Sequence, residues 1–333
     1  MGMTDSVVAE IRGRIGHLTL NRPTALNALD LPMIRALSAA LTSWRERPEI
    51  HAVVIAGEGR AFCAGGDIRA IRDVALAGDA ASIEAFFGEE YALNRMIAEY
   101  PKPYVALIDG ICMGGGIGVS VHGRYRVATE AAMFAMPETG IALFPDVGTS
   151  YVLPRLPGAL GMYLGLTGAR LTGADAVHAG FATHFVPRAE LAALGEALAQ
   201  DGVSVLARFA APLPAFSLAG DMDAIGRCFS AGSVPELLER LGREGTWGEK
   251  VLGTLRAMSP SSVLWSFGLV RRGARRDLAA CLAAELKLTR FVTRHADFAE
   301  GVRAMIIDKD RTPKWSPGAV EAVAVGEIET ALG

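Results

Sequence analysis

One order of segments recurs along the first 140 residues and limits what this chain can become. A short apolar run is followed by a glycine-marked break, then a still shorter run, then a stretch with helical spacing. Residues 51–56 form the first such run. Residues 103–108 form the next, with 111–112 as its short companion and a helix opening in Gly114-Gly115-Gly116. Residues 125–129 and 133–135 repeat the pair. Apolar runs of this length between turn residues fit buried strands. The order predicts an α/β core assembled from strand–strand–helix units, without strict sequence repetition.

The flanking segments fit that core. Residues 7–20 read as two short strands, broken by Asn21-Arg22-Pro23. Residues 31–44 have helical apolar spacing, with Asp30 as N-cap and Pro32 in the tolerant first turn. Residues 81–100 read as a long helix. Beyond about residue 188 the pattern is helical to the end, punctuated by Pro212, Pro214, Pro235, Pro260, Pro313 and Pro317. The expected division is a core over residues 1–200 and a helical region over 201–333 packed on it. With 333 residues, 51% of them apolar, a large core is available.

Charge and cysteines narrow the function classes. The net charge is −3, and the basic residues are scattered, so no nucleic-acid partner is expected. The densest basic run, Arg271, Arg272, Arg275 and Arg276, reads as a solvated helix face. Cys63, Cys112, Cys228 and Cys281 form no metal-like spacing. They read as reduced thiols, which suggests a cytoplasmic location. The longest apolar stretch, 104–121, contains Asp109 and five glycines, so no membrane span is expected.

Four stretches carry candidate chemistry. In 60–68, Ala64-Gly65-Gly66-Asp67-Ile68 follows a buried strand, and its glycines would let backbone N–H groups approach a ligand. In 113–118 a glycine run opens a helix, where unpaired N–H groups suit an anion. Each stretch reads equally as a packing device. Then Glu138, in Met136-Pro137-Glu138-Thr139, and Asp146, in Phe144-Pro145-Asp146-Val147, place carboxylates in apolar surroundings suited to acid–base work. Two such carboxylates following two glycine-rich turns favour a site.

The strings AFCAGGDI, GICMGGGIG and FAMPETGIALFPDVG resemble the crotonase (enoyl-CoA hydratase/isomerase) superfamily. In order and spacing they are most similar to its 3-hydroxyisobutyryl-CoA hydrolase branch, as are FFGEEYALN and DFAEGVRAMIIDKDRTPKW. The resemblance runs from about residue 7 to about residue 317. It implies a spiral of ββα units with a helical C-terminal region. It implies an oxyanion hole made by the N–H groups of Gly66 and Gly115, and Glu138 as the catalytic carboxylate, acting as nucleophile or general base. Asp146 would orient the substrate hydroxyl or a water, and Glu90 would contact substrate. The CoA adenine would lie near Ala64, Gly65, Asp67 and Ile68.

By the same resemblance CoA is part of the substrate, no separate cofactor or metal is expected, and the chain would form a trimer-based homo-oligomer. The hydratases carry a second glutamate where this chain has Gly118, which argues for thioester hydrolysis, a step of valine breakdown. The competing functions are an enoyl-CoA hydratase or isomerase and a non-catalytic acyl-CoA binder. His122 reads as structural, and Cys63 lacks a base partner that would make it a nucleophile.

Overall fold

The computed structural model describes residues 5–332 and contains ten strands among them: β1 (Val7–Arg12), β2 (Ile15–Leu20), β3 (Ala52–Gly57), β4 (Ala61–Cys63), β5 (Tyr104–Ile108), β6 (Ile111–Met113), β7 (Tyr125–Ala128), β8 (Met133–Ala135), β9 (Leu171–Thr172) and β10 (His184–Phe185). The chain divides into two compact units. The first comprises residues up to Gly66, Glu89–Phe134 and Leu171–Ser217; the second comprises Asp67–Gly88, Ala135–Arg170 and the residues from Leu218 on. Sequence order and spatial grouping are therefore different partitions of this chain.

The first unit explains the recurring pairs of apolar runs. A six-stranded sheet has the order β1-β2-β3-β5-β7-β10, and a four-stranded sheet has the order β4-β6-β8-β9. Of each pair β3/β4, β5/β6 and β7/β8, the first strand joins the large sheet and the second joins the small one. Strands β3, β5 and β7 pair in parallel, with Val53 opposite Tyr104 and Val105 opposite Tyr125. A parallel partner cannot be reached by a tight hairpin, so helical segments must intervene. The expected ββα spiral is present.

Continuous apolar runs are what a sheet covered by helix requires. Ile15, Val54, Val105 and Val127 pack with Leu194 and Leu198 of the helix Leu191–Asp201, and all are buried. Each such side chain contributes roughly 1.5–3 kcal/mol. The helix Leu31–Arg45 starts as its sequence predicts. The Asp30 carboxylate accepts the Met33 N–H at 2.9 Å, and proline stands in the first turn.

Past β10 the described residues form helices and loops, as expected of the C-terminal region. In the second unit the helix Pro260–Gly273 is capped by the Ser259 hydroxyl. It buries Trp265, whose ring meets Phe291 and His295 edge-on. Arg271 and Arg272 stand exposed in its last turn, where cations suit the helix dipole. No helix among the described residues is long and apolar enough to cross a membrane.

Candidate active site

In the first unit three predicted residues meet. A Cβ built on Gly115 would stand 3.3 Å from the Gly66 nitrogen and 2.5 Å from Glu90 Oε1. Gly66 bridges to Leu29, beside the Gly65 carbonyl, which accepts the Leu29 N–H at 2.8 Å. Gly115 opens the helix Gly115–Val121, whose first N–H groups have no acceptor within the helix. Two backbone nitrogens and a carboxylate thus share one corner. Glu90 lies on the helix Ala80–Ala98 and is only 2% exposed.

The packing reading of the glycine run holds at one of its positions. Gly116 is a packing glycine, since a Cβ there would sit 2.3 Å from the Cys63 carbonyl oxygen. Gly115 faces Glu90 and Gly66 instead. Cys63 is fully buried, and burial pushes its thiol up to about 12, with the nearby Glu90 charge adding to this. At neutral pH that keeps the sulfur as its thiol. His122 lines a separate cavity of about 320 Å³ with Lys102 and Arg124. Asn94, one turn beyond Glu90, is fully buried and its amide has no hydrogen-bond partner among the described residues.

Ala64, Gly65 and Gly66 belong to the first unit and Asp67 and Ile68 to the second. Asp67 caps the helix Ile68–Leu76, accepting the Ala70 N–H at 3.3 Å. That structural duty accounts for an acid following the glycine pair.

The second unit holds the two predicted carboxylates. Glu138 is 6% exposed and Asp146 4% exposed. Glu138 begins the 3-10 turn Glu138–Ile141. The turn is tied by main-chain bonds. Leu143 N–H donates to the Glu138 carbonyl at 3.0 Å, and Ser259 N–H donates to the Thr139 carbonyl at 3.1 Å. The Thr139 hydroxyl donates to the Leu166 carbonyl at 3.1 Å. Behind Asp146 the chain turns sharply, with Val147 at φ +53° and Gly148 at φ +80°. For a β-branched residue such as valine that conformation costs on the order of 1–3 kcal/mol and persists only when its surroundings hold it.

What holds it is Glu285, which sequence reasoning missed. Fully buried on the helix Leu278–Val292, its carboxyl accepts the Gly148 N–H at 2.7 Å, the Ser150 N–H at 3.1 Å and the Ser150 hydroxyl at 2.5 Å. Burial, with the Asp146 charge adding to it, pushes this carboxyl up to about 8 against the opposing pull of those donors. A sequence signal existed. Glu285 falls on the same helical stripe as Cys281, Leu282, Leu288 and Val292.

The C-terminal string DFAEGVRAMIIDKDRTPKW proves to be a buttress for the Glu138 turn. Glu300 and Arg303 pair at 2.8 Å, and Arg303 also reaches Asp308 and Asp310. Lys314 N–H donates to Glu300, Ser316 N–H donates to Asp297, and the Trp315 indole donates to the Ala257 carbonyl. Within this framework Gly301 presses on the turn. A Cβ there would lie 2.6 Å from the Ile141 carbonyl carbon and 2.7 Å from its Cα. Since backbone cannot swing aside, Gly301→Ala is expected to destabilise the fold by about 1–3 kcal/mol and to lower turnover by displacing Glu138. Thermal unfolding and kcat measured together check this; a variant with wild-type values of both would show that the turn yields without consequence.

The Gly66 and Gly115 backbones stand beside the buried Glu90 carboxylate on a ββα spiral, and the fold and sequence together give the class. The chain belongs to the enoyl-CoA hydratase/isomerase (crotonase) family, whose sequence pattern matches residues 15–332. It is 48% identical to a Xenopus tropicalis protein named 3-hydroxyisobutyryl-CoA hydrolase, mitochondrial, over 96% of this chain and 88% of that one. Among solved structures it is similar to a carnitinyl-CoA dehydratase from Mycobacterium thermoresistibile, with TM-score 0.95 and 37% identity, over 99% of this chain and 97% of that one. It is also similar to an enoyl-CoA hydratase from Rhodobacter sphaeroides 2.4.1, with TM-score 0.93 and 40% identity, over 98% and 97% of the two chains.

The cytoplasmic expectation is corrected by the first of these, a relative named as mitochondrial. Free thiols and a near-neutral charge suit any reducing compartment, so they carry no address.

Proposed function

We propose that this chain hydrolyses 3-hydroxyisobutyryl-CoA to free CoA and 3-hydroxyisobutyrate, a step of valine breakdown. The observation that carries the reading is 48% identity, over 96% of this chain, to a hydrolase of that name, together with the acids on the page. Glu138 and Asp146 are both buried, while the helix Gly115–Val121 has glycine, not an acid, at Gly118. Adding water across a double bond calls for two placed acid–base groups, one of them on that helix. Cleaving a thioester calls for an oxyanion site and a group that delivers oxygen.

In this reading the N–H groups of Gly66 and Gly115 form the oxyanion hole. They donate to the thioester oxygen as it gains charge, and so stabilise the transition state more than the substrate. Glu138 delivers oxygen to the carbonyl carbon. Its own carboxylate attacks to give an anhydride that water opens, or it takes a proton from the attacking water. The C–S bond breaks, and CoA leaves as the thiolate, which takes up the proton that the consumed water gives up. Asp146 orients the substrate hydroxyl or the water, and Glu90 contacts the substrate. The adenine of CoA lies near Ala64, Gly65, Asp67 and Ile68. CoA enters as part of the substrate, and these steps use no further cofactor and no metal. A trimer-based homo-oligomer belongs to the same proposal.

The names of the two similar structures favour a second reading, addition of water to an enoyl-CoA. One experiment separates the two: release of free thiol from 3-hydroxyisobutyryl-CoA, measured beside hydration of crotonyl-CoA. Thiol release without hydration is expected. Hydration without thiol release would place the chain with the hydratases and overturn the role given to Gly118.

A further inference from the structure

The arginines at the end of the helix Pro260–Gly273 take no part in the steps above, and their surroundings are unusual for this chain. Several other exposed arginines face an acid: Arg35 meets Glu89, Arg227 meets Glu244 and Arg290 meets Glu84. Arg271 and Arg272 instead donate to the main-chain carbonyls of Gly232 and Leu332. The side chains of Arg275 and Arg276 have no hydrogen bond or ion pair among the described residues. Asp277, next in sequence, is engaged as a helix cap, where it accepts the Ala280 N–H at 2.7 Å. Four like charges so close along the chain repel one another, and an anion would relieve them.

All four arginines line a groove of about 1080 Å³ within the second unit. Its floor is apolar, with Leu153, Met162, Phe229 and Val270 all buried, and no acid lines it among the described residues. A neighbouring groove of about 400 Å³ shares Arg272 and Arg276 and adds Lys287, again without an acid. Gly226 also lines the larger groove. It stands inside the helix Met222–Phe229, where glycine is an unfavourable residue, and a Cβ there would meet no atom within 4 Å. The groove is thus open where a side chain could have filled it.

The chemistry of such a groove is specific. Guanidinium groups present paired N–H donors that match carboxylate and phosphate oxygens. An apolar floor beneath them favours an anion that carries a hydrocarbon part. The floor is recessed, and the large apolar side chains that stand exposed, Ile11, Leu76, Leu213 and Met305, lie outside it. A lipid surface is met by protruding apolar side chains, whereas a hollow receives a single molecule.

We propose that this groove is a binding site for a small anionic amphiphile, a carboxylate or phosphate monoester on a hydrocarbon chain, with Arg275 and Arg276 holding the anion and the chain lying against Leu153, Met162 and Phe229. None of these residues belongs to the candidate active site, and the proposal does not depend on the hydrolase reading.

The test is titration calorimetry of the full chain with decanoate and with decyl phosphate, both below their micelle concentrations, in the absence and presence of saturating CoA. One bound molecule per chain is expected, with an affinity that CoA does not change. Preference for one anion over the other tells a carboxylate ligand from a phosphate ligand. The double variant Arg275→Glu, Arg276→Glu is expected to weaken binding by about tenfold or more, the scale of losing a charge-assisted hydrogen bond. Neither side chain has a partner to lose, so its melting curve should match the wild type. Gly226→Leu, which meets no clash, should weaken binding by occupying the groove. No binding of either anion, equal binding of uncharged decanol, competition by CoA, or wild-type affinity in either variant would each overturn the proposal. So would self-association of the wild type that the double variant loses, without anion binding, since the groove would then be an interface between copies of this chain.

Discussion

Glu138→Gln is expected to lower kcat for thiol release by about a thousandfold, the scale of losing a positioned acid–base group, while KM changes little. Glutamine has the shape of glutamate but neither attacks a thioester nor takes a proton from water. The variant should fold normally, because the turn around Glu138 is tied by main-chain bonds from Leu143 and Ser259 that do not involve the carboxylate. Circular dichroism and a melting curve beside the kinetics separate loss of chemistry from loss of structure. Wild-type turnover in this variant would mean that another group delivers the oxygen, and the assignment of Glu138 would have to be abandoned.

Gly115→Ala is expected to cost about a hundred- to a thousandfold in kcat, the scale measured for loss of an oxyanion donor. The added methyl would come 2.5 Å from Glu90 Oε1, 3.2 Å from Leu29 Cδ1 and 3.3 Å from the Gly66 nitrogen. The Glu90 carboxylate can swing away, but the Gly66 backbone cannot. The methyl therefore crowds the place where both N–H groups would meet an oxygen, at little cost to the fold. Its neighbour supplies the contrast. In Gly116→Ala the methyl meets the Cys63 carbonyl at 2.3 Å, which is backbone, so that change should act on folding first. Melting temperature and kcat for the pair of variants distinguish the two; equal kinetic losses in proteins of equal stability would argue that Gly115 has no special part.

Much of this was legible before any coordinates. Paired apolar runs separated by glycine gave the strands because burial on both faces leaves little room for polar alternation. Asp30 and Pro32 announced a helix start because the first-turn N–H groups need an acceptor and tolerate proline. The clustering of Gly66, Gly115 and Glu90 was legible only through the family likeness, since residues so far apart in sequence leave no local trace of contact. Glu285 escaped because a single acid in a helix ordinarily faces water. Only its place on an apolar stripe marked it, and what it bonds lies more than a hundred residues earlier in the chain. The string from Asp297 to Trp315 was read as a marker of kinship, whereas physically it is the brace behind the Glu138 turn. Compartment was not legible, because reduced thiols are common to several.

The way the backbone alternates between the two units has a practical corollary for anyone who would cut or recombine this protein. The chain crosses at 66/67, 88/89, 134/135, 170/171 and 217/218. No single cut yields a piece containing all of one unit and none of the other. A chimera with a relative that exchanges a contiguous block running across one of these crossings replaces part of both interiors. A premature stop between the Glu138 turn and the brace leaves the Glu138 segment synthesised but unsupported.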